Sequence, residues 1–228
     1  MAAVTHFQRQ LHEVKEDLLK MGGLVERAIH ESVGALVNRR QSKAEEVIKG
    51  DRRIDTMQND IEGRCLALLA TQQPVAVDLR FLAAAIKITS NLERMGDHAV
   101  NLAHRAISLA ERPPIEMPSA LVSMSEIARS MTAGCLDAFL QENVALAENV
   151  LSRDDDLDHL VRGFLEYEIQ AMTEEHRVVR RAVELILASR HLERIGDHAT
   201  NVAEEVIYMV EGRVARHGAI GPDSVGPL

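Results

Sequence analysis

The sequence contains no tryptophan, and tyrosine and phenylalanine together contribute only 3% of its residues. A chain so poor in aromatic residues, and rich in Ala, Leu, Val, Ile, Glu and Arg, is typical of packed helices and not of β-sheets. Hydrophobic residues make up 46% of the 228 positions, which is enough to bury a substantial core. The composition therefore predicts an all-α protein.

Long apolar runs and an excess of positive charge are also missing. The longest stretch without a charged residue, 65–77, is shorter than a membrane span and contains Pro74. Residues 1–19 carry Glu13 and Glu16 where a secretory signal needs an apolar block. A net charge of −9 argues against general nucleic-acid binding, which depends on Lys and Arg. We therefore expect a cytoplasmic protein without a membrane span or a nucleic-acid partner.

Cysteine is scarce, with two residues in the whole chain. Cys65 and Cys135 lie in apolar runs with helical character and have no spacing typical of metal ligands. We predict that both are inert buried thiols and that they do not form a disulfide.

The sequence repeats itself once. Residues 92–101, LERMGDHAVN, recur as residues 192–201, LERIGDHATN, with eight of ten positions identical. A weaker match pairs residues 44–55 with 147–158 at an offset of 103 instead of 100, a difference that a loop can absorb. The chain therefore reads as two tandem copies of a unit of about 100 residues.

Apolar residues in each copy follow the three- and four-residue steps of a buried helix face. These seams are Phe81, Ala85, Ile88, Leu92, Met95, Ala99, Leu102 and Ala106, and Leu185, Ala188, Leu192, Ile195, Ala199, Val202, Val206 and Met209. The breaks between them predict two tandem three-helix bundles with six long helices, over residues 1–112 and 113–217, and a disordered tail at 218–228. In the second copy we expect helices near 119–141, 144–173 and 177–214. Ser42 and Glu45 resemble a capping box that opens the second helix.

Acidic residues form four pairs with a spacing of four, which places both members of a pair on one helix face. The pairs are Asp51 with Asp55, Glu93 with Asp97, Asp154 with Asp158, and Glu193 with Asp197. In an antiparallel hairpin of the second and third helices, residues equidistant from the turn lie side by side. The midpoints of the first two pairs coincide at Pro74, and those of the last two coincide at 175.5. The hairpins are thus predicted to gather four carboxylates in each copy.

Four carboxylates in one place repel one another by up to a few kcal/mol per neighbouring pair, and a bound cation reverses this effect. Oxygen ligands suit Mg, Mn, Ca or Fe, and the nearby His98, His159 and His198 leave Zn or Fe with an imidazole ligand open. For His98 and His198 we favour hydrogen bonding at the bundle edge over metal ligation. The alternative for the acids is a solvated surface neutralised by Arg52, Arg53, Arg94, Arg153 and Arg194.

Helix phase predicts where these clusters point. With Leu92 on the seam, Glu93 and Asp97 are expected to face outward, so the clusters should be exposed. Gly96 and Gly196 lie inside predicted helices, where glycine costs about 1 kcal/mol relative to alanine. We interpret them as positions where a neighbouring backbone or a ligand comes close.

The doubled L-E-R-[MI]-G-D-H-A motif, together with the acidic pairs, resembles the PhoU family over about residues 6–211. Members of this family share two three-helix repeats with an acidic pair on the second and third helix of each. The resemblance implies one multinuclear metal site at Asp51, Asp55, Glu93 and Asp97. It implies a second site at Asp154, Asp158, Glu193 and Asp197. Iron or zinc clusters are associated with some members, so the resemblance leaves the metal open among Fe, Zn, Mn, Mg and Ca.

The resemblance also implies a role. Family members repress the phosphate-starvation response by coupling a phosphate-specific ABC transporter, through its ATPase, to a membrane sensor histidine kinase. The protein would then act by contact and not as an enzyme, as a homodimer that reaches the membrane only through its partners.

Two other classes of protein remain open from the residues. A carboxylate-bridged di-iron enzyme on a helical bundle also joins acids from long helices, but it normally uses Glu-x-x-His pairs that point into the core. Here Glu93 and Glu193 are followed three residues later by Gly96 and Gly196. The third class is a helical scaffold without metal.

Overall fold

The structure, a computed structural model, describes residues 6–113 and 116–215. Within these ranges the chain forms seven α-helices and no β-strand. They are α1 (His6–Asn38), α2 (Gln41–Gln72), α3 (Ala76–Ala110), α4 (Ser119–Gln141), α5 (Val144–Ser152), α6 (Asp154–Glu174) and α7 (Val179–Glu211). A short 3-10 helix, His176–Val178, precedes α7. The all-α prediction is confirmed, and the predicted tail at 218–228 lies outside the described residues.

The second repeat has one helix more than the first because its middle helix is broken at Arg153. The prediction of a single helix over 144–173 is wrong at this point, since α5 ends at Ser152 and α6 begins at Asp154. Three consecutive aspartates fill the first turn of α6. The free N–H groups and the dipole of a helix N-terminus favour negative charge, so the acidic run stabilises a new helix start.

The start of α2 also differs from the predicted capping box. The helix begins at Gln41, and its N-cap residue, Arg40, makes no side-chain capping hydrogen bond. The carboxylate of Glu45 instead accepts a hydrogen bond of 3.1 Å from the side-chain amide of Gln41. Ser42 is therefore an ordinary residue of the first helical turn.

Helices α3 and α7 form the centre of the molecule. They pack against each other, and each also packs against the remaining helices of its own repeat. All predicted seam residues of α7 are buried, and those of α3 are buried except for the partly buried Phe81. One continuous hydrophobic cluster includes residues of both repeats. The two copies therefore share a core and do not pack as separate units.

Polar contacts reinforce the interface between the repeats. Glu184 on α7 accepts hydrogen bonds from Arg105 and Ser108 on α3, at 3.0 and 2.6 Å. Lys87 on α3 forms an ion pair of 2.9 Å with Glu205 on α7. These contacts fix the position of α3 relative to α7.

Hairpin geometry follows the sequence prediction. Helices α2 and α3 are joined by residues 73–75, where Gln73 adopts a left-handed conformation with φ of 48° ahead of Pro74. Helices α6 and α7 are joined through Glu175 and the 3-10 helix. Both turns lie at the predicted midpoints, so the acidic pairs of each hairpin lie at matching levels.

Two further predictions concern the interior and the membrane. Cys65 and Cys135 are buried free thiols, and burial raises their pKa values to about 11 and about 12, in agreement with inert side chains. Among the helices of the described ranges, none has both the length and the apolar character that a membrane crossing requires.

Candidate metal sites

The second repeat brings three aspartates into one group. Asp154 and Asp158 on α6 and Asp197 on α7 each offer a carboxylate oxygen, and these atoms lie within 4.8 Å of one another. Glu193 lies one turn before Asp197. Burial raises the pKa of Glu193; Arg190 opposes this shift, whereas the charges of Asp158 and Asp197 add to it. We call these four acids the second nest, and all four predicted residues contribute to it.

The first repeat holds the equivalent group of Asp51, Asp55, Glu93 and Asp97, which we call the first nest. Burial, with smaller contributions from the charges of Asp55 and Asp97, raises the pKa of Asp51 to about 6. Burial also raises the pKa of Glu93, and the negative charges of Asp97, Asp55 and Asp51 add to this rise. The structure therefore brings the four predicted acids into one electrostatic group. Within the described ranges, only the second nest places three ligand oxygens within 4.8 Å, so the first nest is more open.

The nests are less exposed than the helix phase predicted. Asp154 is only 8% exposed, and the side chains of Glu93 and Glu193 are 18% and 15% exposed. Asp97 and Asp197 are more accessible, at 38% and 37%. The prediction of exposed clusters is correct only for Asp97 and Asp197, because the facing helix of each hairpin covers part of the acidic face. Each nest is therefore partly buried, and its most accessible acid is Asp97 or Asp197.

Glycine permits this close approach of the helices. A Cβ at Gly96 would lie 3.2 Å from Cδ1 of Ile54 and 3.5 Å from Oδ1 of Asp51. A Cβ at Gly196 would lie 2.5 Å from Cδ2 of Leu157 and 3.6 Å from Oδ1 of Asp154. Both glycines thus leave room for side chains of the facing helix, a leucine or isoleucine and a nest aspartate, and not for the neighbouring backbone or ligand that was predicted.

Arginines neutralise part of the acidic charge. Arg94 and Arg194 form ion pairs with Asp97 and Asp197, at 3.2 and 3.1 Å, as the solvated-surface alternative anticipated. Arg190 lies 2.7 Å from Glu193 and was not among the arginines predicted from the sequence. Arg94 and Arg194 are 60% and 59% exposed, and ion pairs of such exposed side chains contribute little to stability. The arginines therefore reduce the repulsion within each nest.

Histidines occupy the interface between α3 and α7. Nδ1 of His198 lies 2.9 Å from Oδ1 of Asn91, and Nδ1 of His98 lies 3.3 Å from Nδ1 of His191. His98 and His198 are thus hydrogen-bonded to neighbours at the bundle interface, as predicted, while His159 is exposed on α6. Burial lowers the pKa values of His191 and His198 to about 4, and that of His98 is lowered for the same reason.

His191 was not among the residues predicted from the sequence. It lies just before the repeated LERIGDHA motif, at the position that corresponds to Asn91 in the first repeat. Extending the comparison of the repeats by one residue would have shown a histidine opposite an asparagine. Its contact with His98 could be found only from the packing of α3 against α7.

The arrangement defines what the nests can bind. Side-chain oxygens from two facing helices, arranged within a few ångströms and partly withdrawn from water, suit a hard divalent or trivalent cation. The raised pKa values of Asp51, Glu93 and Glu193, caused first by burial and then by neighbouring acids, indicate that these groups favour a neutralising partner, either a proton or a cation. No nucleophile with an adjacent base is part of either nest.

Fold and site together define a class of protein: a duplicated three-helix bundle with one acidic nest on the second hairpin of each repeat. The family model of the PhoU domain matches this chain twice, at residues 18–106 and 121–206. The chain belongs to the PhoU family.

Individual relatives agree along nearly the whole chain. A protein of Aquifex aeolicus named "phosphate-specific transport system accessory protein PhoU homolog" is 44% identical over 92% of this chain and 95% of its own length. A protein of the same name from Pseudomonas putida is 39% identical over 92% of this chain and 83% of its own length.

Solved structures show the same fold. The crystal structure of PhoU from Pseudomonas aeruginosa matches with a TM-score of 0.89 and 37% identity, covering 91% of this chain and all of that one. The phosphate transport system regulatory protein PhoU from Streptococcus pneumoniae matches with a TM-score of 0.86 and 28% identity, covering 92% of this chain and all of that one. The doubled bundle predicted from the sequence is therefore confirmed as the fold of this family.

Proposed function

We propose that this protein represses phosphate uptake and the phosphate-starvation response by contact with two partners. These are the ATPase of a phosphate-specific ABC transporter and a membrane sensor histidine kinase. The observation that carries the proposal is the match of both repeats, over nine-tenths of the chain, to proteins named as accessory or regulatory components of phosphate transport. Contact with these partners would place the protein at the cytoplasmic face of the membrane, as a homodimer.

The two nests are proposed as metal sites within this regulator. The second nest fits an ion best, because three carboxylate oxygens already lie within 4.8 Å of one another. Asp51, Asp55, Glu93 and Asp97 would hold the ions of the first nest, and Asp154, Asp158, Glu193 and Asp197 those of the second. A bound cation would supply positive charge that removes the repulsion within each hairpin and holds its two helices together. Candidate ions are Fe, Zn, Mn, Mg and Ca.

Contact rather than catalysis is the proposed mode of action. A di-iron bundle enzyme positions Glu-x-x-His pairs towards its core. In this chain glycine occupies the third position after Glu93 and Glu193, and these two acids keep 18% and 15% of their side-chain surface exposed. Metal analysis of protein purified without chelator distinguishes the alternatives. Redox-active paired iron with turnover would favour the enzyme, tightly bound ions without turnover the regulator, and absence of metal the scaffold.

The decisive experiment is deletion of the gene in the source organism with an alkaline phosphatase reporter. We expect high reporter expression in phosphate-rich medium, and restoration of repression by the wild-type gene. A deletion strain that keeps low expression in high phosphate would refute the proposed repression.

The contribution of the nests can be measured in the same strain. The double variant Asp154→Asn/Asp197→Asn removes two ligands of the second nest, and Asp60→Asn/Asp137→Asn is its matched control, because both of these aspartates are exposed and lie outside the nests. We expect the control to repress like the wild type and the nest variant to repress less. Full repression by the nest variant, at equal protein level, would separate the regulatory role from the second nest.

A further inference from the structure

The two repeats make reciprocal contacts across the α3–α7 interface, and one of these contacts differs chemically from its counterpart. Position 198 contacts position 91, and position 98 contacts position 191. On one side His198 faces Asn91, whose Oδ1 also accepts a hydrogen bond of 3.3 Å from Asn201. On the other side two imidazoles face each other. Two imidazoles can bind one transition metal ion through two nitrogens, whereas an imidazole and an amide cannot.

The spacing of the two nitrogens matches that of ligands on one ion. Nδ1 of His98 and Nδ1 of His191 are 3.3 Å apart. Zinc–nitrogen bonds of 2.0–2.1 Å at a tetrahedral angle place two ligand nitrogens about 3.3 Å apart. The ring centroids are 5.5 Å apart and the ring planes are inclined by 37°, so the rings are not stacked face to face.

We propose that His98 and His191 bind a borderline divalent transition metal ion, such as Cu²⁺ or Zn²⁺, through their Nδ1 atoms. In the metal-free protein one Nδ1 carries the hydrogen that bridges the pair. On binding, this hydrogen moves to Nε2 of the same ring through solvent, so both imidazoles stay neutral and no net proton is released. Two protein ligands leave the remaining coordination positions to water. This site goes beyond the proposed regulatory function and does not depend on it.

The ligand chemistry separates this site from the nests. Imidazole nitrogens suit Zn, Cu and Ni, whereas carboxylate oxygens suit Mg, Mn and Ca. Neighbouring cations oppose the ion, since Arg105 lies near His191 and Arg194 near His98. Arg105 is held by Glu184 at 3.0 Å and Arg194 by Asp197 at 3.1 Å, so each of these positive charges is balanced by a carboxylate. Both histidines are partly buried, so fewer water molecules compete with the metal ion for their ring nitrogens.

Copper titration of the full chain, followed by electron paramagnetic resonance, tests the proposal. Excess Mg²⁺ is present throughout to occupy the nests. We expect the first equivalent of Cu²⁺ to show superhyperfine splitting from two nitrogens. A wild-type spectrum with oxygen ligands only would overturn the proposal, whatever any variant does.

His191→Asn is the informative variant, because it recreates the His–Asn pair that the fold already contains at His198 and Asn91. Its affinity for nitrogen-bound Cu²⁺ should fall by more than about tenfold, since even changes to groups outside the ligand sphere cost 10–100-fold. His30→Asn, at an exposed position on α1, is the control and should leave the spectrum and affinity unchanged. An unchanged two-nitrogen spectrum in His191→Asn would show that other histidines bind the copper and would refute the assignment.

Discussion

Replacement of Gly196 by alanine tests how closely α6 approaches α7 at the second nest. The added Cβ would lie 2.5 Å from Cδ2 of Leu157, about 1 Å inside ordinary carbon–carbon contact. Leu157 is 0% exposed and Met131 lies 3.5 Å from the same point, so the leucine can move only within the core. The overlap must be relieved by a new rotamer of Leu157 within the packed core or by moving α6 away from α7.

The expected magnitude follows from two opposing terms. Alanine in place of glycine gains about 1 kcal/mol of helix propensity, while overpacking of a filled core typically costs about 1–3 kcal/mol. For Gly196→Ala we therefore expect a net loss of up to about 2 kcal/mol in the free energy of unfolding. In a protein of this size, each kcal/mol corresponds to a decrease of about 2–4 °C in melting temperature.

Two other glycines provide matched controls within the same chain. At Gly63, on the exposed face of α2, an added Cβ meets nothing within 4 Å, so Gly63→Ala should stabilise the protein by about 0.5–1 kcal/mol. At Gly96 an added Cβ would lie 3.2 Å from its nearest neighbour, so the gain in helix propensity and the cost of overpacking should nearly cancel. Urea unfolding followed by circular dichroism measures all three variants. If Gly196→Ala were as stable as Gly63→Ala, the close packing of α6 against α7 would be incorrect.

The remaining predictions concern protons, ions and the repeat interface. Because burial raises the pKa of Asp51 to about 6, protons compete with cations at the first nest, and Mn²⁺ affinity measured by calorimetry should fall steeply below pH 6 and stay constant above pH 7. His191 and His198 have pKa values of about 4 when folded, against 6.5 when unfolded, so the unfolded chain binds more protons and stability is lost as the pH falls from 6.5 to 4. The raised pKa of Asp51 has the opposite effect on stability in this pH range, so the test compares the wild type with His191→Asn. The loss of stability as the pH falls should be smaller in His191→Asn than in the wild type. Equal losses in the two proteins would refute the prediction. Glu184→Ala should lower the free energy of unfolding by about 1–3 kcal/mol, since it leaves the partly buried Arg105 without its partner. Glu184→Gln should lower the free energy of unfolding less. Equal stability of Glu184→Ala and the wild type in urea unfolding would contradict this prediction.

The sequence was sufficient to predict the features that repeat. The apolar seams of α3 and α7, the two hairpins and the acidic pairs all follow from helical periodicity and from the match of residues 92–101 to 192–201. Hairpin register could be predicted because it depends only on the distance of each residue from the turn. The eight acids therefore lie in two groups, as their spacing indicated.

Features that depend on packing between helices could not be predicted in this way. Helix phase places Glu93 outside the seam of α3, but it does not show how far α2 covers that side chain. The break at Arg153 results from competition between continuing α5 and starting α6 at three aspartates, and periodicity does not resolve which is more stable. The contact of Arg190 with Glu193 is a local helical pair that the spacing of three residues could have revealed.

Duplication explains why the nests match while the interface between the repeats differs. Each nest lies within one hairpin, so its geometry is set twice by the same local sequence, including the glycine that admits a neighbouring aspartate. At the α3–α7 interface, by contrast, residues of one copy meet those of the other: the rings of His98 and His198 lie 5.6 Å apart. A single difference there, His191 in place of the asparagine at 91, changes one contact and leaves its counterpart intact. New chemistry in a duplicated bundle is therefore easiest to acquire at the interface between the copies, where one substitution is enough to make the two sides unequal.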